Sequence, residues 1–230
     1  MSNIDVGILK GVIIIKERKT PIYLLMLEAA KRRVPVKHPS RSLLEEELWK
    51  QQAGFRGEKT LDYYLSLLSK SESLTLTNLR LPNKSSYFQI DTLVMTTRYI
   101  LILESKNFAG ELIYQASSNQ LTQARIEKEL VSYDPISQVE RHKLQLLGLL
   151  QALQLPAIPV LTLVVLTNSY TTLKSNPEYV KIPSNIVRAE ALPMKLVDIN
   201  RIHRKEIWST CELKRVENLL KKRNVSFEPN

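Results

Sequence analysis

Apolar positions along this chain change period several times, and each change marks an expected element. Thr20-Pro21 reads as the opening of a helix, with Thr20 as N-cap and Pro21 in the first turn; Ile22, Leu25 and Met26 supply its apolar side. Pro35 and Pro39 interrupt the chain, and Ser42-Leu43-Leu44-Glu45 has the spacing of a capping box that starts a second helix through Trp49. Gly54-Phe55-Arg56-Gly57 reads as a break. From Glu58 to about Ser69, Leu61, Leu65 and Leu68 recur at helical spacing. The period then shortens. Strands are expected over 73–79, 87–96 and 99–105, with a loop at 81–86 and a tight turn at Thr97-Arg98. Residues 111–114 extend the sheet by a further hairpin, while 116–129 are polar and weakly patterned.

Asp134-Pro135 is another N-cap and first-turn pair, and the Leu-rich helix after it ends near Leu155-Pro156. Val160–Leu166 is a continuous branched run, the mark of a strand buried on both faces. Past residue 170 the signals weaken until Ser209-Thr-Cys-Glu212, which caps a last helix with Leu213, Val216 and Leu220 inward and Lys221, Lys222 and Arg223 at its end. The fold class is α/β: one mixed sheet flanked by helices with an αβββαβ core, a helical arm over 1–50, a core domain over 51–170 and an extension over 171–230.

Composition narrows the class. A chain of 230 residues buries one full core and leaves room for an appendage. Its single cysteine, Cys211, excludes a disulfide framework and a cysteine-based zinc ribbon, and its three histidines show no ligand spacing. The apolar runs at 11–15 and 22–27 are too short to span a bilayer, and Met1-Ser-Asn-Ile-Asp lacks a basic start followed by an apolar stretch. A cytoplasmic protein with no membrane span is expected.

The formal charge of +10 is uneven. Residues 1–50 hold 10 basic and 6 acidic side chains, net +4; 51–200 hold 15 and 13, net +2; 201–230 hold 8 and 4, net +4. Basic flanks around a nearly neutral middle suit a polyanion gripped outside and processed inside; plain solubility is the other reading.

That middle holds the candidate chemistry. Phe88-Gln89-Ile90-Asp91 leads into one strand, and Leu101-Ile102-Leu103-Glu104-Ser105-Lys106 ends the next. Alternation puts Glu104 and Lys106 on one face, with Asp91 on the neighbouring strand. Two carboxylates and an ammonium at the polar end of a buried sheet are costly without partners. They suit a magnesium (or manganese) ion held by Asp91, Glu104 and the Ser105 carbonyl, with Lys106 beside a reacting water or phosphate, or else a structural ion-pair network. Glu58 could add an oxygen, though the helix dipole alone favours Glu in a first turn. Gln89 and, further off, Gln138 are amides that could touch water or phosphate. His142 reads as a structural residue.

These motifs, taken in order, resemble a known family. Gly54-Phe-Arg-Gly-Glu58-Lys, Leu79-Arg-Leu-Pro82, Phe88-Gln-Ile-Asp91, Leu101-Ile-Leu-Glu104-Ser-Lys106-Asn107 and Asp134-Pro-Ile-x-Gln138 together look like the bacterial nuclease-related domain (NERD) family, over roughly residues 50–170. The family is placed in the restriction-endonuclease-like PD-(D/E)xK superfamily. The resemblance implies that Asp91, Glu104 and Lys106 form a metal-and-catalysis triad, that Glu58 is the helix acid and that Gln89 and Gln138 are supporting residues. It implies a magnesium-dependent nuclease, acting on DNA in a bacterium; the charge of the flanks adds Lys31, Arg32, Arg33, Lys221, Lys222 and Arg223 as side chains to hold the phosphate backbone. Ile90 replaces the superfamily's proline, and Ser105 an apolar residue. A non-cleaving nucleic-acid-binding or interaction module on the same fold is the alternative, and no base-stacking aromatic stripe separates DNA from RNA.

Overall fold

A computed structural model describes residues 18–67, 73–83, 86–125 and 128–225, with side chains left aside at 124, 125 and 128–132. Among the described residues, five α-helices flank two mixed sheets, α1 Ile22–Arg33, α2 Arg41–Ser66, α3 Pro135–Ala152, α4 Leu192–Ile202 and α5 Thr210–Arg223. The first sheet contains β1 Ser73–Asn83, β2 Ser86–Thr96, β3 Ile100–Lys106, β7 Val160–Leu166 and β9 Ile186–Arg188, in the order β1-β2-β3-β7-β9. The second contains β4 Gly110–Gln115, β5 Gln120–Arg125, β6 Lys128–Tyr133 and β8 Thr171–Asn176, in the order β6-β5-β4-β8. α2, β1, β2, β3, α3 and β7 are the αβββαβ core of a restriction-endonuclease-like fold.

The central strands are apolar on both sides because helices cover both faces. Ile100, Leu101, Ile102 and Leu103 are all fully buried. Leu61 and Leu65 of α2 and Leu192, Leu196 and Ile199 of α4 pack with Leu101, Leu103 and Val165. On the other face, Leu146 and Leu150 of α3 and Leu213, Val216 and Leu220 of α5 pack with Ile100, Ile102 and Val160. β3 and β7 pair in parallel, so a crossover must join them; β4 to β6 and α3 form it.

Two caps match the expected chemistry. Asp134 accepts from the Ser137 N–H with Pro135 in the first turn, and Ser209 and Glu212 form a reciprocal capping box. The turn at Thr97-Arg98 is closed by the Thr96 N–H on the Tyr99 carbonyl.

Elsewhere the structure corrects the pattern reading. There is no break at 54–57: α2 runs unbroken from Arg41 to Ser66, and the expected 50/51 boundary falls inside it. Gly57 is there for closeness, since an added Cβ would stand 2.6 Å from Thr167 Oγ1 and 3.0 Å from Asn107 Cβ. The α2 capping position is Ser40, without a side-chain bond, not Ser42; on α1 it is Pro21, not Thr20. The buried side of α1 is Leu24 and Leu27, while Ile22, Leu25 and Met26 are exposed. β1 runs on through Leu81-Pro82-Asn83, where a loop was expected. Residues 110–115 do not extend the first sheet; they start a second one, with β5 inside the polar stretch, β6 beginning at its end and β8 beyond residue 170. Leu68 and Ser69 lie outside the described residues, as do the apolar run at 11–15 and the loop positions 84 and 85.

Candidate active site

The site begins with a fault in strand alternation. Leu76, Leu79 and Leu81 of β1 share one apolar cluster with Phe88, Ile90, Leu93 and Met95 of β2. Positions 79 and 81 keep the two-residue period, but 76 is out of step; likewise 88 and 90 against 93 and 95. Both strands therefore slip by one position at the same level, between Leu79↔Ile90 and Thr77↔Thr92. Asn78 and Asp91 occupy that level. Asn78 has φ 51°, a conformation unusual outside glycine and better tolerated by Asn than by most residues. The slip takes Asp91 out of the regular alternation of its own strand.

Register places the partner. β2 and β3 pair as far as Thr92↔Leu103, so the next step brings Asp91 level with Glu104. Asp91 Oδ2 accepts from the Ser105 N–H at 3.3 Å and from the Ser105 hydroxyl at 3.4 Å. Glu104, 3% exposed, is held by α3 and its own strand: Lys106 Nζ donates to Glu104 Oε1 at 2.7 Å and Gln138 Nε2 donates to the same oxygen at 2.8 Å. Lys106 Nζ also donates to Gln138 Oε1 at 3.1 Å, which closes a three-membered network. Asp134-Pro135 sets where α3 starts, and hence where Gln138 meets the end of β3.

Electrostatically the site is short of positive charge. Burial, and then the charge on Glu104, hold the Asp91 carboxyl up at about 6 from its ordinary 3.8, against the pull of Lys106, the Ser105 N–H and Arg18. On the far side of Glu104, His142 Nδ1 stands 4.0 Å from Oε2, buried and with no hydrogen-bond partner among the described residues. Burial lowers the His142 pKa and so disfavours the charged ring beside Oε2, which leaves Lys106, on Oε1, as the cation paired with Glu104 among the described residues.

Glu58 belongs to a neighbouring cluster that sequence reasoning missed. Arg18, its side chain 1% exposed, inserts between α2 and the sheet. Its Nη1 donates to Glu58 Oε2 at 2.8 Å, to Asn78 Oδ1 at 3.0 Å and to the Asp91 carbonyl at 3.3 Å. Its Nε and Nη2 grip Asp62 at 2.9 and 3.1 Å, and Nη2 reaches Thr92 Oγ1 at 2.9 Å. Glu58 and Asp62 are one helical turn apart, so both acids face the same guanidinium. Burial lifts Glu58 to about 7 from 4.5; Arg18 opposes the rise, and the charges of Asp91 and Asp62 add to it. The sequence signal available for this cluster was the i, i+4 spacing of Glu58 and Asp62.

The other expected residues sit apart. Gln89 is exposed and lines a cavity of about 590 Å³ with Glu58, Asn78 and Arg80, and it makes none of the bonds of the Glu104–Lys106–Gln138 network. Lys31, Arg32 and Arg33 end α1, about 16 Å along the helix from Ile22, and Lys31 pairs with Glu45 at 3.6 Å. Lys221, Lys222 and Arg223 end α5 immediately before Asn224, whose Oδ1 accepts the Arg80 N–H at 2.8 Å; the Val225 N–H closes on the Arg80 carbonyl at 3.0 Å. The C-terminal cations therefore stand beside the β1 edge nearest the cavity, and the α1 cations do not.

Among the described residues, no group of three or more His, Cys, Asp or Glu side chains is arranged to hold a metal ion. A hard divalent cation of the magnesium type needs fewer, because it keeps waters and binds through one or two carboxylates. Two adjacent carboxylates, one kept near 6 by burial and by the other's charge, fit such an ion.

A family model described as NERD, nuclease-related domain, matches residues 53–167. That span covers α2 from Ala53, all of β1–β7 and α3, and includes Glu58, Asp91, Glu104, Lys106 and Gln138. No curated protein and no solved structure matches the chain. Among the described residues no helix is long and apolar enough to cross a membrane.

Proposed function

We propose, from the premise that this chain belongs to the nuclease-related domain family, that it is a metal-dependent nuclease hydrolysing phosphodiester bonds in DNA. The observation carrying this reading is the pairing of a charge-deficient carboxylate couple, Asp91 and Glu104, with an ammonium fixed 2.7 Å from one of them. Asp91, Glu104 and the Ser105 carbonyl would hold magnesium or manganese, which when bound supplies Lewis-acid polarisation of a phosphate oxygen and acidifies a water.

The chain's own groups do the rest. Lys106, kept in place by Glu104 Oε1 and Gln138 Oε1, presents N–H donors toward the attacking water and toward the charge that builds on the phosphoryl oxygens. Gln138 fixes the geometry of both partners. Attack in line with the leaving oxygen breaks the P–O3′ bond, leaving a 5′-phosphate and a 3′-hydroxyl, the outcome that membership of this superfamily implies. Glu58 is committed to Arg18 and acts as a positioning residue between arm and sheet. The basic end of α5, beside the β1 edge, is the better placed of the two cation clusters to bind backbone phosphates, and that grip falls by roughly one power of salt concentration per phosphate neutralised.

The test uses plasmid and linear DNA with magnesium and then with chelator. The parent cuts only with magnesium; Asp91→Ala and Lys106→Ala lose cutting and keep most of their binding. Equal cutting by parent and both variants removes the catalytic assignment, and tight binding with no cutting by the parent favours a non-catalytic nucleic-acid-binding module.

A further inference from the structure

The cavity beside Glu58 is walled by three parts of the chain. The arm contributes Lys19 and Tyr23, α2 contributes Gln51, and the paired strands β1 and β2 contribute Arg80 and Gln89, which face each other across the ladder. Arg18 is the reason the arm lies there. The residue next to Lys19, it is tied by six hydrogen bonds to α2, β1 and β2. One of those bonds pairs the guanidinium with the Glu58 carboxylate that borders the space and offsets part of the charge that would repel an anion.

The lining has the chemistry of a nucleotide. Lys19 and Arg80, whose guanidinium lies 4.4 Å from the centroid of the Tyr87 ring, are cations for a phosphate. The Gln51 and Gln89 amides offer both donors and acceptors to the edge of a base. Tyr23 offers a ring face, with Pro21 and Ile22 next to it. At about 590 Å³ the space falls in the range that ligand-sized groups fill and is too small for a stacked duplex. It is also correctly placed: Gln89 precedes Asp91 by two residues on β2, about 7 Å along the strand.

We propose that this cavity receives one unpaired nucleotide of the strand being cut, making single-stranded or frayed DNA the preferred substrate over fully paired duplex. The proposal rests on the nuclease reading for the cut, and on the cavity alone for the binding. The arm then belongs to the substrate site.

The experiment separates the two. Full-length protein in EDTA, where no cutting occurs, is titrated with a labelled 12-nucleotide single strand and with a blunt-ended hairpin duplex of the same length, read by fluorescence anisotropy. The parent binds the single strand at least tenfold more tightly, and 2-aminopurine placed in the strand is quenched on binding. Tyr23→Ala combined with Gln51→Leu weakens single-strand binding by roughly tenfold, within the range for losing one base–aromatic stack. The same variant removes the quench and leaves duplex binding and the thermal midpoint unchanged. Both side chains lie at the surface, and Gln51→Glu, which adds a charge against phosphate without removing volume, repeats the loss. Equal affinity of the parent for strand and duplex, or parental strand binding by both variants, overturns the proposal. Strand-selective binding without magnesium-dependent cutting keeps the cavity assignment and removes the nuclease reading; parental cutting and strand binding by the Tyr23/Gln51 variants do the reverse.

Discussion

Asp91→Asn should make the metal-free protein more stable at neutral pH, and the size of the gain follows from the Asp91 environment. In the folded chain this carboxyl titrates at about 6; its ordinary value is 3.8. The folded state therefore holds the proton more tightly than the unfolded state. As pH rises from about 4 to about 6, the unfolded chain ionises first, and folding stability falls across that window and stays lowered above it. About two pH units at ~1.4 kcal/mol each give a penalty of about 3 kcal/mol at pH 8. Asparagine carries no charge and keeps a carbonyl oxygen for the Ser105 N–H, so the loss on that side is at most about 1 kcal/mol. The net gain is about 2–3 kcal/mol at pH 8 and close to zero at pH 4, where Asp91 is itself protonated. For a chain of this length that corresponds to a rise in Tm of roughly 5–10 °C. Thermal melts of parent and variant in EDTA at pH 4, 6 and 8 measure it, and magnesium should raise the Tm of the parent alone. A variant that melts below the parent at pH 8, or a difference of the same size at pH 4, refutes the reasoning.

Arg18→Met breaks a buried ion-pair cluster and should cost about 3–5 kcal/mol at pH 8. The loss is smaller at pH 5, where Glu58, raised to about 7, takes up a proton; urea denaturation at the two pH values checks it. Gly57→Ala, a change that normally favours a helix by up to about 1 kcal/mol, should instead destabilise by about 1–2 kcal/mol because the new Cβ meets Thr167 and Asn107. Adding Thr167→Ala should recover most of that loss in the same assay.

The central strands and the helix after Asp134 were legible because their signals are local: unbroken branched runs, an Asp-Pro cap, a capping box at Ser209. Asp91, Glu104, Lys106 and Gln138 do converge, as motif order suggested. What escaped the sequence reading was long-range or inconspicuous. β5 reads Gln-Leu-Thr-Gln-Ala-Arg, a pattern indistinguishable from a polar loop until β4 and β6 pair with it. Gly57 looks like a helix breaker until Thr167, more than 100 residues later, closes on it. The inward side of α1 is displaced by two positions from the apparent one, since Leu24 and Leu27 bury with Leu48 while Ile22, Leu25 and Met26 are exposed. Arg18 is one cation among 33 in the sequence, and its partners lie 40 to 74 residues away.

That separation matters during synthesis. A ribosome adding roughly 5–20 residues per second makes Arg18 about 4–15 s before Thr92, its most distant partner. For that interval the guanidinium has no completed acceptor set, while Leu24, Leu27 and Leu48 already allow the two leading helices to clasp. A nascent chain halted short of β2 thus carries an early-made segment that cannot yet be fastened, and translation speed through that stretch bears on how cleanly the front half matures.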